Sequence, residues 1–333
     1  MPNPTNIPAQ MRAVQYHNYG PPEVLKPGTA STPQPKEKEL LVRIHCATVT
    51  AGDCELLSFD LPYKWLWLPL RLAMGWKRPR YPILGMEFAG EVVGMGAAVT
   101  NYKVGDRVFG DTNFGFGAYA EFACFPEAHQ LGRIPEGMSY EDAASIPVGG
   151  CNGLHFIRKA KLKPGQHILI NGAGGSIGTY ALQLAKQQGA IITAIDNGPK
   201  LDMLRSIGAD HVIDYTKEDF TYRGQTYDVI LDVVGKAPYS RSMRCLNKGG
   251  RLIVASPGLH HMLRAPFTRL FSNKRCIITF AGTTTKDLEL LAQQQLEGTL
   301  RPVIDKRIQL EEIPEAHRYV EANKKAGILI VNI

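Results

Sequence analysis

The sequence predicts an α/β protein that combines a parallel sheet with a second, β-rich region. From about Lys163 onward, short apolar stretches alternate with helix-forming stretches, which is the pattern of parallel strands joined by crossover helices. Before about Met138, short strand-like runs are broken by glycine and proline, without that regular alternation. At 333 residues the chain is long enough to form two domains.

The predicted elements follow these two patterns. In the first region, strands are predicted at Met11–Tyr16, Leu40–His45, Phe88–Val93 and Asp106–Phe109. One helix is predicted at Tyr140–Ala144, and a second helix ends near Arg158. In the alternating region, strands are predicted near Ile168, Ile191, His211, Asp228, Leu252 and Cys276, which together make a six-stranded parallel sheet. Two final strand-like stretches, which we expect to return to the first region, are Pro302–Leu310 and Gly327–Ile333.

A glycine-rich turn indicates where a ligand binds. In His167–Gly178, HILINGAGGSIG, a β-branched strand leads into glycines and then into a helix. This fits G-x-G-x-x-G with alanine in first place, a turn that lets a dinucleotide pyrophosphate approach the backbone and the N–H groups at a helix start. The alternative is a tight turn with no ligand. The residues predicted to surround the pyrophosphate are Ala173, Gly174, Gly175, Ser176, Ile177 and Gly178.

Composition narrows the classes of function. The opening MPNPTNIPAQ has no basic start followed by an apolar run, and no apolar stretch reaches about eighteen residues, so we expect neither a signal peptide nor a membrane span, and a cytoplasmic location. The six cysteines include no C-x-x-C pair, which argues against a structural zinc lobe and a disulfide framework.

The net charge of +7 is unevenly distributed along the chain. Leu61–Arg80 carries five basic residues, Pro257–Arg275 carries four, and neither stretch has an acidic residue. Both stretches are also apolar, so they are candidates for the mouth of an apolar substrate site, an anionic membrane contact or a subunit contact, with solvated basic loops as the alternative. Because no recognition motif accompanies the charge, nucleic-acid binding is disfavoured.

Several segments carry a family resemblance. They are MRAVQYHNYGPPEVLKPG, ILGMEFAGEVVGMGAAVTNYKVGDRVFG, GFGAYAEF, the glycine turn and LRSIGADHVIDY. Together they resemble the medium-chain dehydrogenase/reductase superfamily, and in particular its zinc-free quinone oxidoreductase branch. The resemblance implies a GroES-like β-barrel catalytic domain at 1–135 and 299–333, a doubly wound Rossmann domain at 136–298, and catalysis in the cleft between them. It also implies a homodimer joined edge to edge through the Rossmann sheets.

The resemblance implies that no metal is bound. Zinc-dependent relatives have ligands at the positions of Thr50, Met86 and Val148. Zinc needs thiolate, imidazole or carboxylate donors, and these three side chains supply none of them. The alternative is a shifted zinc site built from Cys46, Cys54 and Glu87.

Without zinc, the implied chemistry is reduction by NAD(P)H of quinones, enones or other α,β-unsaturated carbonyls. Hydride transfer places charge on a conjugated oxygen, which hydrogen-bond donors stabilise. The candidate catalytic residues are Thr50, where zinc-free relatives usually have asparagine, Asp53, which matches an acid that the family retains, and the nearby Tyr63. Each of these residues also has a purely structural interpretation. Thr50 could hydrogen-bond the backbone, Asp53 could cap the turn that follows it, and Tyr63 could be an aromatic residue of a loop without a catalytic role. Two other functions stay open, a zinc-type alcohol dehydrogenase and a non-catalytic NAD(P)-binding protein held at a membrane or by a partner.

Further residues are assigned to the coenzyme through the same resemblance. They are Asn152 near the nicotinamide, Val233 and Val234 beneath the riboses, and Ala255, Ser256, Phe280 and Ala281 at later strand ends. Asp196 ends a strand about twenty residues beyond the turn, where an acid bonds a free ribose 2′-hydroxyl, and this slightly favours NADH. Lys200 and Tyr215 instead match residues that NADPH-using quinone reductases place beside the 2′-phosphate, and Lys200 is also a candidate to neutralise Asp196.

Overall fold

The computed structural model describes residues 7–61 and 64–333. The strands are β1 (Gln10–Gln15), β2 (Lys26–Ser31), β3 (Glu39–Val49), β4 (Glu87–Met95), β5 (Arg107–Asp111), β6 (Phe122–Pro126), β7 (Gly132–Arg133), β8 (His167–Asn171), β9 (Ile191–Asp196), β10 (His211–Asp214), β11 (Tyr227–Asp232), β12 (Leu246–Val254), β13 (Arg275–Ile278), β14 (Ile304–Gln309) and β15 (Ile328–Asn332). The helices are α1 (Ala51–Ser58), α2 (Trp67–Met74), α3 (Tyr140–Ala144), α4 (Cys151–Ala160), α5 (Ser176–Gln187), α6 (Leu201–Ser206), α7 (Tyr239–Arg244), α8 (Leu259–Phe271), α9 (Thr285–Leu296) and α10 (Ile313–Glu321).

The chain divides into two compact units. Unit 1 contains Met1–Asp60, Leu68–Val148 and Thr283–Ile333, and unit 2 contains Leu61–Trp67 and Gly149–Gly282. The resemblance implied boundaries at 135/136 and 298/299, whereas the chain passes between these units at 148/149 and 282/283, and also at 60/61 and 67/68. The difference arises because α3 packs against β3 and β4, and α9 packs against β7, so both helices belong with the first region.

Unit 2 is built on a six-stranded parallel sheet, as the sequence predicts. The strand order is β10-β9-β8-β11-β12-β13, which is the Rossmann order, with its reversal between β8 and β11. The strand interiors are continuously apolar, as in Ile168–Ile170 of β8, which is fully buried, because a parallel sheet of this kind is covered on both faces. At the reversal, Asp232 stands beside Asn171, so the carboxyl ends of β8 and β11 are neighbours.

Unit 1 is built around the long strand β3. One edge of β3 pairs with β4, while its other edge pairs with β6 along Glu39–Arg43 and with β15 along Cys46–Val49, all antiparallel. The sheet runs in the order β14-β15-β3-β4-β5-β7, and β1 and β2 form a separate antiparallel pair. The prediction that the final strands return to the first region is confirmed.

Each of the two basic, apolar stretches contains a helix, so neither is simply the solvated loop that was its alternative interpretation. The first contains α2, and the second contains α8. No helix in ranges 7–61 and 64–333 is long and apolar enough to cross a bilayer.

Candidate functional site

The glycine turn after β8 has the shape that close approach to a ligand requires. Gly172 has a φ of +83°, and a Cβ atom on it would lie 2.5 Å from Val234 Cγ2. A Cβ atom on Gly178 would lie 2.3 Å from the Gly172 carbonyl oxygen, so glycine there allows the helix to lie against the turn. A Cβ atom on Gly175, in contrast, would have no neighbour closer than 3.8 Å, and Gly175 precedes α5 without a side-chain cap. The turn is therefore tight on its protein side and open at the start of α5, the end of a helix whose N–H groups can bind an anion.

The Asp196 carboxylate lies beneath this turn and is held by three protein donors. Its Oδ2 accepts the Gly174 N–H at 2.8 Å, and its Oδ1 accepts the Asn197 N–H at 2.9 Å. The Lys200 ammonium lies 2.9 Å from Oδ1, and both side chains are more than nine-tenths buried. A bond from Asp196 to a ribose hydroxyl stays a prediction. Without a ribose, the Asp196 carboxylate already accepts from Gly174, Asn197 and Lys200, and the Lys200 ammonium balances its negative charge.

Asp232 fixes the loop that follows β11. Its Oδ1 accepts from the Asn171 side chain and from the Gly235 N–H, each at 2.9 Å, and its Oδ2 accepts the Ala237 N–H at 2.9 Å. Burial raises the pKa of this carboxyl above its ordinary value, and the three donors oppose that shift. The hydrogen bonds hold the loop containing Val233 and Val234 against the end of β8.

The remaining cofactor candidates in unit 2 lie mostly at the same edge of the sheet. Ala255 and Ser256 follow β12, where the Ser256 hydroxyl donates to the Val233 carbonyl oxygen at 3.2 Å. The other strand-end candidates are Tyr215, just after β10, and Phe280 and Ala281, just after β13. Asn152 instead lies in the first turn of α4, which packs closely on α5. The sheet thus gathers the strand-end candidates by its topology, whereas Asn152 depends on helix packing.

Thr50 and Asp53 form a capping box at the start of α1. Asp53 Oδ2 accepts the Thr50 N–H at 2.9 Å and the Thr50 hydroxyl at 2.6 Å, while the Asp53 N–H donates to Thr50 Oγ1 at 3.1 Å. Asp53 is fully buried, and burial raises the pKa of its carboxyl to about 6 although both bonds from Thr50 lower it. The pair therefore caps α1, which is the structural role given above as the alternative to catalysis. A part for the pair in catalysis stays a prediction. Tyr63 lies outside the described residues.

Glu87 provides a second buried carboxylate in unit 1. It accepts from the Thr48 hydroxyl and from the Val148 N–H. Val148 lies within a π-helical turn at Ile146–Gly150, which joins α3 to α4, and such turns are frequent at functional sites. Burial raises the pKa of Glu87 to about 7, and the negative charge of Asp53 adds to the shift.

Thr50, Met86 and Val148, which match the zinc-ligand positions of zinc-dependent relatives in the resemblance described above, do not fit a catalytic zinc ion. Thr50 Oγ1 lies 3.8 Å from the Met86 sulfur, and Val148 donates to Glu87, so these positions do come together. They present a hydroxyl, a thioether and an aliphatic side chain, while both nearby carboxylates are held by hydrogen bonds. Across the described part of the chain, no three His, Cys, Asp or Glu side chains are grouped to hold a metal.

Three residues that the sequence reasoning missed are linked to these carboxylates: Tyr119 and Lys325 interact with Asp53, and His317 contacts Tyr119. The Tyr119 hydroxyl lies 3.4 Å from His317 Nε2, and the Lys325 ammonium donates to the Val49 carbonyl oxygen at 3.3 Å. Burial lowers the pKa of His317 to about 3, so its ring is neutral. The positive charge of Lys325 lowers the pKa values of Asp53 and Glu87. Two of the three had a signal in the sequence, since His317 lies on the apolar face of α10 and Tyr119 belongs to the GFGAYAEF segment, whereas nothing local marks Lys325.

A Rossmann sheet with an open glycine turn, joined in one chain to a β-rich unit, defines a two-domain protein of the dinucleotide-binding class. Comparison with known proteins identifies the family. Residues 36–136 match the family described as alcohol dehydrogenase GroES-like domain, and residues 207–331 match the one described as zinc-binding dehydrogenase.

Relatives with full-length similarity are more specific. A chloroplastic quinone oxidoreductase of Triphysaria versicolor is 31% identical over 324 residues, which cover 92% of this chain and 93% of that protein. A chloroplastic NADPH-dependent alkenal/one oxidoreductase of Arabidopsis thaliana is 28% identical, over 98% of this chain and 80% of that protein. The solved quinone oxidoreductase from Coxiella burnetii is 27% identical, with a TM-score of 0.86 over 97% of this chain and 99% of that one. The chain belongs to the medium-chain dehydrogenase/reductase superfamily, in its quinone-oxidoreductase-like branch.

Proposed function

We propose that the protein is a zinc-independent reductase that transfers hydride from NAD(P)H to quinones, enones or other α,β-unsaturated carbonyls. The observation that carries this proposal is the buried Thr50–Asp53 hydrogen bond, with the Thr50 hydroxyl 3.8 Å from the Met86 sulfur, a pair of side chains that supplies a proton donor and no zinc-ligand set. The relatives from Triphysaria versicolor and Arabidopsis thaliana carry names that describe these two classes of acceptor. Acceptors of this kind need only hydrogen-bond donors and a proton at the conjugated oxygen.

The residues of unit 2 fit a dinucleotide, which when bound in reduced form supplies the hydride. The start of α5, with Gly174 and Gly175 before it, binds the pyrophosphate through backbone N–H groups. The loop that Asp232 holds in place positions Val233 and Val234 at the reversal of the strand order, where doubly wound sheets bind their ligands. The loop is fixed before the coenzyme binds, so little ordering is required on binding.

Asp53 and Thr50 supply the proton in this proposal. While Asp53 is ionised, the Thr50 hydroxyl hydrogen is directed at Asp53 Oδ2. Once Asp53 is protonated, its O–H donates to Thr50 Oγ1, and the Thr50 hydrogen is released to bond the acceptor oxygen. With a pKa of about 6, the Asp53 carboxyl exchanges its proton near neutral pH, as a general acid requires.

For the coenzyme, we propose that NADPH binds at least as tightly as NADH. The sequence argument for NADH is repulsion between Asp196 and a 2′-phosphate. In the structure Lys200 balances that charge at 2.9 Å, so the repulsion is reduced. Titration of protein fluorescence with each reduced coenzyme gives the two dissociation constants directly. A tenfold or greater preference for NADH, about 1.4 kcal/mol, would contradict the proposal.

The decisive experiment follows absorbance at the reduced-nicotinamide band with each coenzyme against a panel of quinones and enones, with metal content measured on the same sample. We expect turnover of at least one acceptor class without stoichiometric zinc, and no effect of a chelator. Stoichiometric zinc with chelator-sensitive oxidation of ethanol would instead establish an alcohol dehydrogenase. Tight coenzyme binding with no turnover of any acceptor would establish a non-catalytic nucleotide-binding protein.

We also propose a homodimer joined through the edge of the unit 2 sheet. β13 pairs with β12 on one side and is the last strand in the sheet order, and an open edge strand is a template for pairing with another chain. Light scattering should then give twice the chain mass of 36.7 kDa. Replacement of Ile277 in β13 by proline should shift the protein to monomer, since proline cannot donate to a strand ladder.

A further inference from the structure

Helix α8 presents its apolar side chains to solvent. Leu263 is 62% exposed, Phe267 63%, Leu270 74% and Phe271 79%. Leu259 and Met262 are exposed as well. At three- and four-residue spacing these six residues form one continuous stripe along the helix, so an apolar face of more than three turns has no protein covering it among the residues that the structure describes.

The opposite face of α8 is the one that contacts the protein. His261 is buried there, its Nδ1 accepts the Gly258 N–H at 3.1 Å, and the Thr268 hydroxyl lies 2.6 Å from the Tyr239 hydroxyl. Arg264 and Arg269 lie on either side of the apolar stripe at about 100° per residue. The helix therefore has its polar contacts inward, its apolar face outward and a cation on each flank, which is the arrangement of helices that lie in a membrane interface.

The surrounding sequence has an unusual charge. Residues 233–282, the last fifty of unit 2, contain no aspartate or glutamate. They contain nine basic residues, which are Lys236, Arg241, Arg244, Lys248, Arg251, Arg264, Arg269, Lys274 and Arg275. This stretch therefore carries more positive charge than the net +7 of the whole chain, and it is concentrated around α8 in sequence.

A shallow surface depression of about 380 Å³, which we call the cavity, lies between α7 and α8 and joins these features. Its wall includes Arg244, Lys274, Thr268 and Phe271. The Lys274 ammonium donates to the Met243 carbonyl oxygen at 2.7 Å, which holds this cation at the cavity. A phosphate group bound there would meet two cations beside the end of the apolar stripe.

We propose that α8 docks unit 2 on the surface of an anionic lipid bilayer. The apolar stripe enters the boundary between headgroups and acyl chains, and the flanking arginines with Arg244 and Lys274 contact lipid phosphates. The nine basic residues and the absence of acidic residues in 233–282 make an anionic surface the complementary occupant, and a second copy of the chain is an outcome of the test below. The proposal does not depend on the acceptor that the enzyme reduces.

Sedimentation of the full chain with vesicles tests this docking. Vesicles of phosphatidylcholine with about one third phosphatidylserine should bind the protein at least about tenfold more tightly than pure phosphatidylcholine, and the binding should weaken as salt rises. The double variant Phe267→Ser with Phe271→Ser should lose about tenfold or more of that binding. Its matched control is Leu290→Ser with Leu296→Ser, which removes two exposed leucines from α9 in unit 1 and should bind like the unmodified chain.

The same samples distinguish the other occupants. Circular dichroism and coenzyme binding should be unchanged in both double variants, because the altered side chains are exposed. Equal binding to neutral and anionic vesicles, or equal loss in the α9 control, would overturn the proposal. A change of oligomeric state in the α8 variant without a change in vesicle binding would assign the face to a second copy, and would overturn it too.

Discussion

The Lys200 ammonium lies 2.9 Å from Asp196 Oδ1, with both groups buried beneath the turn that fits the coenzyme. Removal of one partner from a buried pair leaves an uncompensated charge and typically costs about 3–5 kcal/mol. We therefore expect Lys200→Met to lower the free energy of unfolding by about that amount, measured by urea denaturation.

The double variant Lys200→Met with Asp196→Asn separates charge from packing. It removes both charges, so it should recover most of the stability. Lys217→Met is the matched surface control, because Lys217 is mostly exposed beside Asp214 and such pairs contribute at most about 1 kcal/mol. A double variant as unstable as the single one would contradict a role for charge balance.

Two glycines of the turn should respond differently to alanine. Gly178→Ala places a Cβ atom 2.3 Å from the Gly172 carbonyl oxygen, so we expect a loss of stability of about 2 kcal/mol or more. Gly175→Ala has room and an ordinary φ of −88°, so it should stay folded but bind coenzyme at least about tenfold more weakly. Thermal unfolding and coenzyme titration measure the two effects. Unchanged coenzyme affinity in Gly175→Ala would place the pyrophosphate elsewhere.

The Asp53 carboxyl should govern the pH dependence of reduction. Its pKa is raised to about 6, so the protonated, donating form is lost as pH rises through that value, and kcat should fall above it. Asp53→Asn keeps an oxygen to accept the Thr50 N–H but supplies no exchangeable acid, so we expect a loss of about 100-fold in kcat and a flat profile.

Matched variants check this assignment. Thr50→Ser keeps the hydroxyl and should retain activity, whereas Thr50→Val should resemble Asp53→Asn. Glu87→Gln should leave the fall near pH 6 in place. A profile unchanged in Asp53→Asn would remove Asp53 from the proton path.

Glu87 should make the fold less stable as pH rises. Its pKa is about 7 in the folded state against an ordinary 4.5, so the folded state holds this proton more tightly than the unfolded state does. Below about pH 4.5 both states are protonated and the contribution is constant. Between about pH 4.5 and 7 the unfolding free energy falls by an amount on the order of 3 kcal/mol. Urea midpoints measured across this range should decline less in Glu87→Gln than in the unmodified chain. Parallel curves would rule out the raised pKa.

The sequence predicted those parts of the fold that have local signals. The six parallel strands are continuous apolar runs, and α3 begins and ends at the predicted residues Tyr140 and Ala144. The glycine turn could also be predicted from a local pattern, since its strand, its glycines and its helix follow one another directly in the sequence. A helical stretch between the last two strands was expected, but the outward direction of the apolar face of α8 was not, because the usual interpretation assigns such a face to a core.

The site was predicted less completely because its contacts are long-range. The position of Asp196 at a strand end was evident, but the direction of its carboxylate depends on Gly174, in a different part of the chain. His317 and Lys325 enter this region only when α10 and β15 return to it, whereas Tyr119 already belongs to it and bonds Val14 and Leu84 through its backbone. The pKa values of the two carboxyls follow from burial, which no local pattern reveals.

The pairing of β15 with β3 also has a consequence for biosynthesis. All strands of unit 2 leave the ribosome before Ile328, so that sheet can form while translation continues. β3 is made early, yet one half of its edge stays unpaired until residues 328–332 emerge, and exposed edges of this kind attract other nascent chains. The nested order of the two units therefore makes the first-synthesised sheet the last to be completed, so its β3 edge is the part of the nascent protein that stays open longest.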